Sequence, residues 1–286
     1  MNFRTDLALE CRESLPENRI DGVESEAFGK AGAQITKIKI TNENGSKTMG
    51  KPVGTYITAE IPPLGKYGSY DENLLCALGE QLSSLLPKDG AVLSVGLGNE
   101  DITPDALGPL SCSMILATRH IKGELAKSIG LGDLRASAVL SPGVLGQTGV
   151  ETAEIIKGLV SFLSPCAVIV IDALAARRLS RLGCTLQMSD AGVGNARSAI
   201  NKSTLGVPVI SIGIPTVVDA ATLANDIAGD DAFRGGDSEK GRDMIITPRE
   251  IDLVISRAAK LVALTVNKAL QPHITADEML MLVTSS

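Results

Sequence analysis

Short apolar runs alternate with helix-forming stretches from residue 91 onward, and this alternation constrains the fold more than any other feature. The runs are Ala91–Leu97, Ala136–Leu140, Ala167–Ile171 and Val207–Ile212. Strands that are apolar throughout are typical of parallel sheets covered by helices on both faces. Aromatic residues make only 2% of the chain, so we expect a core of aliphatic side chains. The pattern predicts an α/β fold, a three-layer sandwich of the phosphorylase/hydrolase-like type around a mostly parallel central sheet.

An antiparallel β-hairpin is expected before this alternation. The segment from Gln34 alternates apolar and polar residues, NENGS at 42–46 is typical of a turn, and GTYITAEIP at 54–62 supplies a returning strand. We therefore expect an N-terminal β-hairpin extension over 30–65. It would belong to a single domain over 7–286, in which the charged, Gly-rich stretch 229–243 forms a mobile loop.

Local patterns also give expectations for the helices and the N-terminus. Helices are predicted over roughly 106–120 and 174–182, near Glu151, and after a Thr247 cap. Residues 1–10 show no apolar periodicity and are expected to be mobile.

Composition narrows the functional classes. The net charge of −6 gives no electrostatic footprint for nucleic acid or an anionic membrane, and the absence of Trp argues against stacking platforms for single-stranded nucleic acid. The chain contains no apolar stretch of about 18 residues and no apolar N-terminal signal region, so a cytoplasmic protein is expected. Five scattered cysteines without a CxxC motif predict reduced thiols rather than disulfides or a zinc site. The two histidines, His120 and His273, have no triad-like context.

Two aspartates are the best candidates for chemistry. Asp105 follows the first apolar run, and Asp172 directly follows Ala167–Ile171. In α/β folds, the carboxyl ends of the strands face the crevice where ligands bind. Paired carboxylates can divide general-acid and general-base work, or they can hold a metal. Asp105 has an alternative interpretation as a helix N-cap, whereas a carboxylate at the end of an apolar strand costs free energy unless it is paired or functional.

Two Gly-containing loops could form the walls of the crevice. PGVLGQTGVET at 142–152 contributes Gln147, Thr148 and Gly149, and SDAGVGNAR at 189–197 contributes Asp190, Asn195 and Arg197. These groups could hold a substrate backbone or an oxyanion. The alternatives are that the first loop only leads into a helix and that Arg197 is a structural ion-pair partner. VGLGN at 95–99 lacks the third glycine of a dinucleotide fingerprint, so a tight turn is expected there.

Several long motifs together resemble the spore germination protease (GPR endopeptidase) family. They are RTDLALE at 4–10, VGLGN with TPDALGP at 95–109, PGVLGQTGVET at 142–152, IDALAAR at 171–177, and GVGNAR with LGVPVISIGIPTVVDA at 192–220. The resemblance implies an endopeptidase that degrades small acid-soluble spore proteins during germination. It implies a fold similar to the hydrogenase-maturation peptidases, and Asp105 and Asp172 as the catalytic aspartates.

The same resemblance implies how such an enzyme is controlled and assembled. It implies a zymogen whose short propeptide, 1–6, is removed between Asp6 and Leu7. It also implies a homotetramer in the spore core. The charge and hydropathy of the chain add that neither nucleic acid nor a membrane is expected as a direct partner.

Three hypotheses remain open from the sequence. The first is an aspartate-dependent endopeptidase without a cofactor. The second is a metal-assisted peptidase in which Asp105 and Asp172 bind a divalent metal, as in the maturation peptidases. The third is a non-catalytic binding homologue that keeps the fold.

Overall fold

The computed structural model describes residues 4–16, 20–66, 71–121, 134–194, 199–228 and 244–284. The strands are β1 Val23–Lys30, β2 Ala33–Ile40, β3 Gly54–Glu60, β4 Val92–Gly96, β5 Ser137–Leu140, β6 Ala167–Ala176, β7 Thr185–Ser189, β8 Val209–Asp219 and β9 Ile245–Ile246. The helices are α1 Ala8–Glu13, α2 Glu43–Met49, α3 Glu72–Leu85, α4 Leu107–Cys112, α5 Leu145–Thr148, α6 Thr152–Leu163, α7 Lys202–Leu205, α8 Ala220–Ala228, α9 Ile251–Leu270 and α10 Ala276–Thr284. The predicted mobile loop 229–243 lies outside the described residues.

These strands form one mixed sheet in the order β1-β2-β3-β7-β8-β6-β4-β5, with β9 beside β8. The half that contains β8, β6, β4 and β5 is parallel. The other half, from β7 to β1, is antiparallel. The two strands of the predicted hairpin, β2 and β3, pair with each other, and β1 and β7 extend them to the antiparallel half of the same sheet.

Helices cover both faces of the parallel half, which confirms the predicted α/β class and its three layers. Along β6, Ala167, Ile169 and Ile171 belong to the main core, which also contains residues of α3, α4 and α9. Val168 and Val170 point to the second core, which contains residues of α6. This two-residue alternation places apolar side chains on both faces of the strand. Within the described residues, no helix is both long and apolar enough to cross a membrane.

The NENGS segment, predicted as a turn, is the helix α2. The Asn42 side chain caps it by accepting a hydrogen bond from the Gly45 amide, and Gly50 ends it in the left-handed conformation. The turn prediction was wrong because Asn and Gly favour helix ends as well as tight turns.

Two other helix predictions were wrong near the candidate site. The segment 174–182 was predicted as helical, but β6 continues to Ala176, and only a short 3-10 turn follows over Leu179–Arg181. Pairing with β8, which continues to Asp219, outweighs the helix propensity of the Ala-rich sequence. The predicted helix over 106–120 ends at Cys112.

The prediction of a Thr247 cap was also wrong. Helix α9 begins at Ile251, and its N-cap residue is Glu250, which makes no capping hydrogen bond through its side chain.

Candidate active site

Asp105 lies in a 3-10 turn, Thr103–Asp105, between β4 and α4. Its Oδ2 atom accepts a hydrogen bond of 2.7 Å from the Asn99 amide. The carbonyl of the preceding Pro104 accepts a 2.8 Å hydrogen bond from the buried Thr216 hydroxyl. The Asn99 amide therefore holds the Asp105 carboxyl group from within its own loop. Thr216 of β8 holds the backbone of the turn one residue earlier.

Two glycines, Gly98 of VGLGN and Gly108 of TPDALGP, allow the Asp105 turn and α4 to lie close to the neighbouring strands. Gly98 has a φ of +111°, and a Cβ atom there would lie 2.0 Å from the Asp105 carbonyl oxygen. On the other side of the loop, a Cβ atom at Gly108 would lie 2.7 Å from the Ile171 carbonyl oxygen. Only glycine fits such contacts without displacing the backbone. The predicted tight turn is confirmed, and it brings α4 close to β6.

Asp172 lies where the sheet opens beside β6. The last pair between β4 and β6 joins Gly96 to Ile171, and the Leu97 amide donates to the Ile171 carbonyl at 2.8 Å. Asp172 is thus the first residue of β6 beyond β4, although β6 itself continues along β8. The sequence located Asp172 at a strand end, and the structure places it at the end of the neighbouring strand instead.

The charge of Asp105 acts on the Asp172 carboxyl group. Burial, together with the negative charges of Asp105 and Asp6, raises the pKa of Asp172 to about 7. Burial also raises the pKa of Asp105, but the hydrogen bond from the Asn99 amide opposes that rise because it stabilises the anion. Asp172 therefore keeps its proton to a higher pH than an ordinary carboxyl group does.

A third carboxylate, Asp6, enters the site from the N-terminal segment. The Asp6 amide donates to the Ala175 carbonyl at 2.8 Å, and its Oδ2 atom accepts a 2.7 Å hydrogen bond from the Ala175 amide. Leu7 is fully buried in a small cluster with Ala176 and Val218. The prediction that residues 1–10 are mobile is therefore wrong for residues 4–10, which pack along β6.

Two polar side chains hold this segment, and the sequence analysis identified neither. Gln187 of β7 donates from Nε2 to the Asp6 carbonyl at 2.9 Å and accepts at Oε1 from the Ala8 amide at 2.7 Å. The buried Glu10 carboxylate accepts the amides of Arg177 and Arg178 at 2.7 Å and 2.9 Å. These partners are separated by more than 160 residues in the chain, so no local pattern could have indicated them.

The 142–152 loop is connected to Asp105 through one residue. Gln147 donates from Nε2 to the Asn99 side chain at 3.2 Å and to Asp101 at 3.3 Å. Because the Asn99 amide donates to Asp105, Gln147 supports the turn that carries the carboxylate. Within the described part of the chain, the Thr148 hydroxyl bonds only to its own loop, and Gly149 ends α5 in the left-handed conformation.

The 189–197 loop contributes less than predicted within the described residues. The Asp190 carboxylate accepts a 2.6 Å hydrogen bond from the Thr55 amide at the start of β3. This contact ties two antiparallel strands together and gives Asp190 a structural role. Asn195 and Arg197, the other predicted contributors, lie outside the described residues.

The cysteines and histidines of the chain lie apart from the two aspartates in their bonding and exposure. All five cysteines are unpaired thiols, and both histidines are exposed. Among the described residues, no group of three His, Cys, Asp or Glu side chains is placed to hold a metal ion. Catalytic zinc sites use three protein ligands, and Asp105, Asp172 and Asp6 do not form such a group.

Comparisons with known proteins agree on one family. The family model described as "Germination protease" matches residues 5–229. The chain is 43% identical to the germination protease of Caldanaerobacter subterraneus subsp. tengcongensis, over 98% of this chain and 97% of that protein. It is 41% identical to the germination protease of Clostridium perfringens strain ATCC 13124, over 97% of this chain and 98% of that protein.

Among solved structures, the chain is similar to the [NiFe] hydrogenase maturation protease HycI from Thermococcus kodakarensis KOD1. The identity is 16% and the TM-score is 0.33, over 65% of this chain and 98% of that protein. The family match rests on the sequence comparisons, which extend over nearly the whole chain. The chain belongs to the germination protease family.

Proposed function

We propose that this protease is an aspartate-dependent endopeptidase that degrades small acid-soluble spore proteins during germination. The family supports a protease, and one observation supports the two-aspartate chemistry. Asp172 is a half-buried carboxyl group where the parallel sheet opens, and burial together with the charge of Asp105 raises its pKa to about 7. Perturbed carboxyl pairs of this kind are typical of acid–base catalysis.

The two aspartates divide the work according to their surroundings. Asp105, which receives the Asn99 amide, carries the negative charge and takes a proton from the attacking water. Asp172, protonated below pH 7, donates a hydrogen bond to the scissile carbonyl and then a proton to the departing amine. This division needs no cofactor, because one carboxyl group supplies the base and the other the acid.

Isosteric replacement tests these roles. Asp105→Asn and Asp172→Asn should each lower kcat/KM for a small acid-soluble spore protein by at least about 10³-fold, with an unchanged circular dichroism spectrum. Asp89→Asn, at an exposed position in another loop, is the matched control and should keep full activity. If either active-site variant retains wild-type turnover, its proposed role is wrong. A wild-type protein that binds the spore protein without cleaving it would favour the non-catalytic alternative.

For the metal-assisted alternative, no three carboxylates of the described residues are grouped to hold a metal ion, so we assign no step to a metal. We expect dialysis against EDTA to leave kcat/KM within about twofold of the untreated enzyme. Loss of activity that added Zn²⁺ or Mn²⁺ restores would contradict this and favour the metal hypothesis.

We also propose that the chain is made as a zymogen that cleaves itself between Asp6 and Leu7. The supporting contacts are the two hydrogen bonds between Asp6 and Ala175, which hold this peptide bond beside the strand that carries Asp172. Cleavage should be fastest at mildly acidic pH, where Asp172 is protonated. N-terminal sequencing after acid incubation should give a start at Leu7, which Asp172→Asn abolishes. A fully active protein with an intact Asp6–Leu7 bond would refute the zymogen.

The support for the assembly and the location comes from membership of the germination protease family. We propose a homotetramer that acts in the spore core on its protein substrates, without nucleic acid or membrane as a direct partner. Light scattering of the purified chain should give four times the 29.8 kDa of one chain. A monomeric mass in an active preparation would contradict the tetramer.

A further inference from the structure

The side chain of Gln187 contacts the N-terminal segment on both sides of Leu7. Its Nε2 group donates to the Asp6 carbonyl, and its Oε1 atom accepts from the Ala8 amide. The carboxamide thus bonds to the peptide backbone as a neighbouring strand would, with one donor and one acceptor. It contacts only main-chain atoms of the segment in these bonds, so the same bonds are available to any peptide in that position.

The carbonyl that Gln187 contacts belongs to the Asp6–Leu7 bond, which is the bond proposed to be cleaved. Asp6 also pairs with Ala175, three residues beyond Asp172 on the same strand. The Asp6 charge contributes to the raised pKa of Asp172, which places the segment close to the proposed acid. A donor on a scissile carbonyl becomes more effective as negative charge develops on that oxygen.

The position of Gln187 suits this task. Gln187 lies on β7, paired with Gly213 of β8 and with Thr58 of β3, in the middle of the sheet. Only 7% of the residue is exposed. The strand that carries Gln187 is paired on both sides, so its backbone is held in place when a peptide binds, which lowers the entropy cost of binding.

We propose that Gln187 is the residue that holds the substrate backbone across the bond to be cleaved, an inference that rests on the proposed endopeptidase function. The Nε2 group binds the carbonyl of the scissile bond, and Oε1 binds the amide N–H one residue beyond the new amino terminus. The chain's own segment, residues 4–10, occupies this position as a substrate would. Gln187 is therefore a peptide-binding residue in addition to the two aspartates.

A chemical double-mutant cycle tests this role through one hydrogen bond. The first peptide copies residues 4–10, RTDLALE. In the second peptide, lactate replaces the first alanine, so an ester oxygen replaces the N–H that Oε1 would accept, while the Asp–Leu bond stays an amide. Cleavage at Asp–Leu is followed by chromatography with the wild-type chain and with Gln187→Met, each first incubated at acidic pH until N-terminal sequencing shows a start at Leu7.

The ratio of kcat/KM between the two peptides is the decisive quantity. Wild type should cleave the amide peptide about tenfold faster than the ester peptide, the size of one hydrogen bond. Gln187→Met should cleave both at nearly equal rates, and its kcat on the amide peptide should fall about a hundredfold through loss of the carbonyl donor. The docked N-terminal segment competes equally with both peptides, so it cancels from the ratio.

The control is Gln81→Met in α3. Gln81 has the same 7% exposure as Gln187 but lies in the helical layer, and this variant should keep the wild-type ratio. If wild type and Gln187→Met show the same ratio, Gln187 only anchors the N-terminal segment, and the inference fails while the endopeptidase function stands. If wild type cleaves neither the peptides nor the spore protein, both the function and this inference fail.

Discussion

Replacing Asp172 by Asn should stabilise the folded protein at neutral and alkaline pH, even though it should abolish catalysis. The pKa of Asp172 is raised from an ordinary value of 3.8 to about 7, first by burial and then by the charges of Asp105 and Asp6. The folded state therefore binds this proton more tightly than the unfolded state does. The contribution of this group to stability is highest below pH 4, declines as pH rises toward 7, and stays reduced above pH 7.

The magnitude follows from the size of the shift. Each pH unit between the unfolded and folded pKa values costs about 1.4 kcal/mol. Between pH 5 and pH 8 the Asp172 carboxyl thus lowers the free energy of unfolding by up to about 3 kcal/mol. Asp172 is only half-buried and keeps some solvent contact. We therefore expect the loss of unfolding free energy between pH 5 and pH 8 to be about 1–2 kcal/mol. The amide side chain of the Asp172→Asn variant cannot ionise and avoids this loss.

Urea unfolding followed by circular dichroism at pH 5 and pH 8 measures the effect. The difference in unfolding free energy between Asp172→Asn and wild type should increase by about 1–2 kcal/mol from pH 5 to pH 8. Asp89→Asn, at an exposed position, should follow wild type at both values. If Asp172→Asn and wild type lose the same stability over this range, Asp172 is not a carboxyl of raised pKa, and the proposed acid is wrong.

Two further predictions address the support of the site and the cysteines. Gly98→Ala should destabilise the fold by about 2 kcal/mol or more and lower kcat at least tenfold, because its Cβ would lie 2.0 Å from the Asp105 carbonyl oxygen. Gly146→Ala, where nothing lies within 4 Å of the added Cβ, is the control in thermal unfolding and activity assays, and an equal effect of both would contradict the close approach. Alkylation followed by mass spectrometry should label all five thiols after denaturation without reductant. In the native protein it should label Cys112 slowest, because burial raises its pKa to about 12, and a mass that indicates a disulfide would refute the reduced state.

The sequence predicted the two aspartates because each follows an apolar run, and that signal depends on local chemistry alone. Even so, the end of β6 was misplaced, since the alanine-rich segment after Asp172 has helical propensity and only its partner strand β8 keeps it extended. The position of Asp172 at the opening of the sheet depends on where β4 stops. β4 and β6 are neighbours in the sheet but are separated by about 70 residues in the chain, so no local pattern shows where one ends beside the other.

The third carboxylate and the peptide-binding glutamine could not be predicted from local patterns. Asp6 was identified only through resemblance to a propeptide junction, and its polar surroundings suggested mobility. In the structure the segment is held by contacts with Ala175 and Gln187, and Leu7 is buried. Contacts between residues so distant in the chain follow from the completed sheet, because β6 and β7 must first be assembled.

The pH dependence of turnover tests the central account most directly, because it reports the protonation state in which the aspartates act. With a saturating spore-protein substrate, we expect kcat to be nearly constant over mildly acidic pH and to fall about tenfold per pH unit above about pH 7, as Asp172 loses its proton. Asp89→Asn should give the same profile. A kcat that stays level or rises from pH 7 to pH 9 would contradict a protonated Asp172 and with it the two-aspartate mechanism.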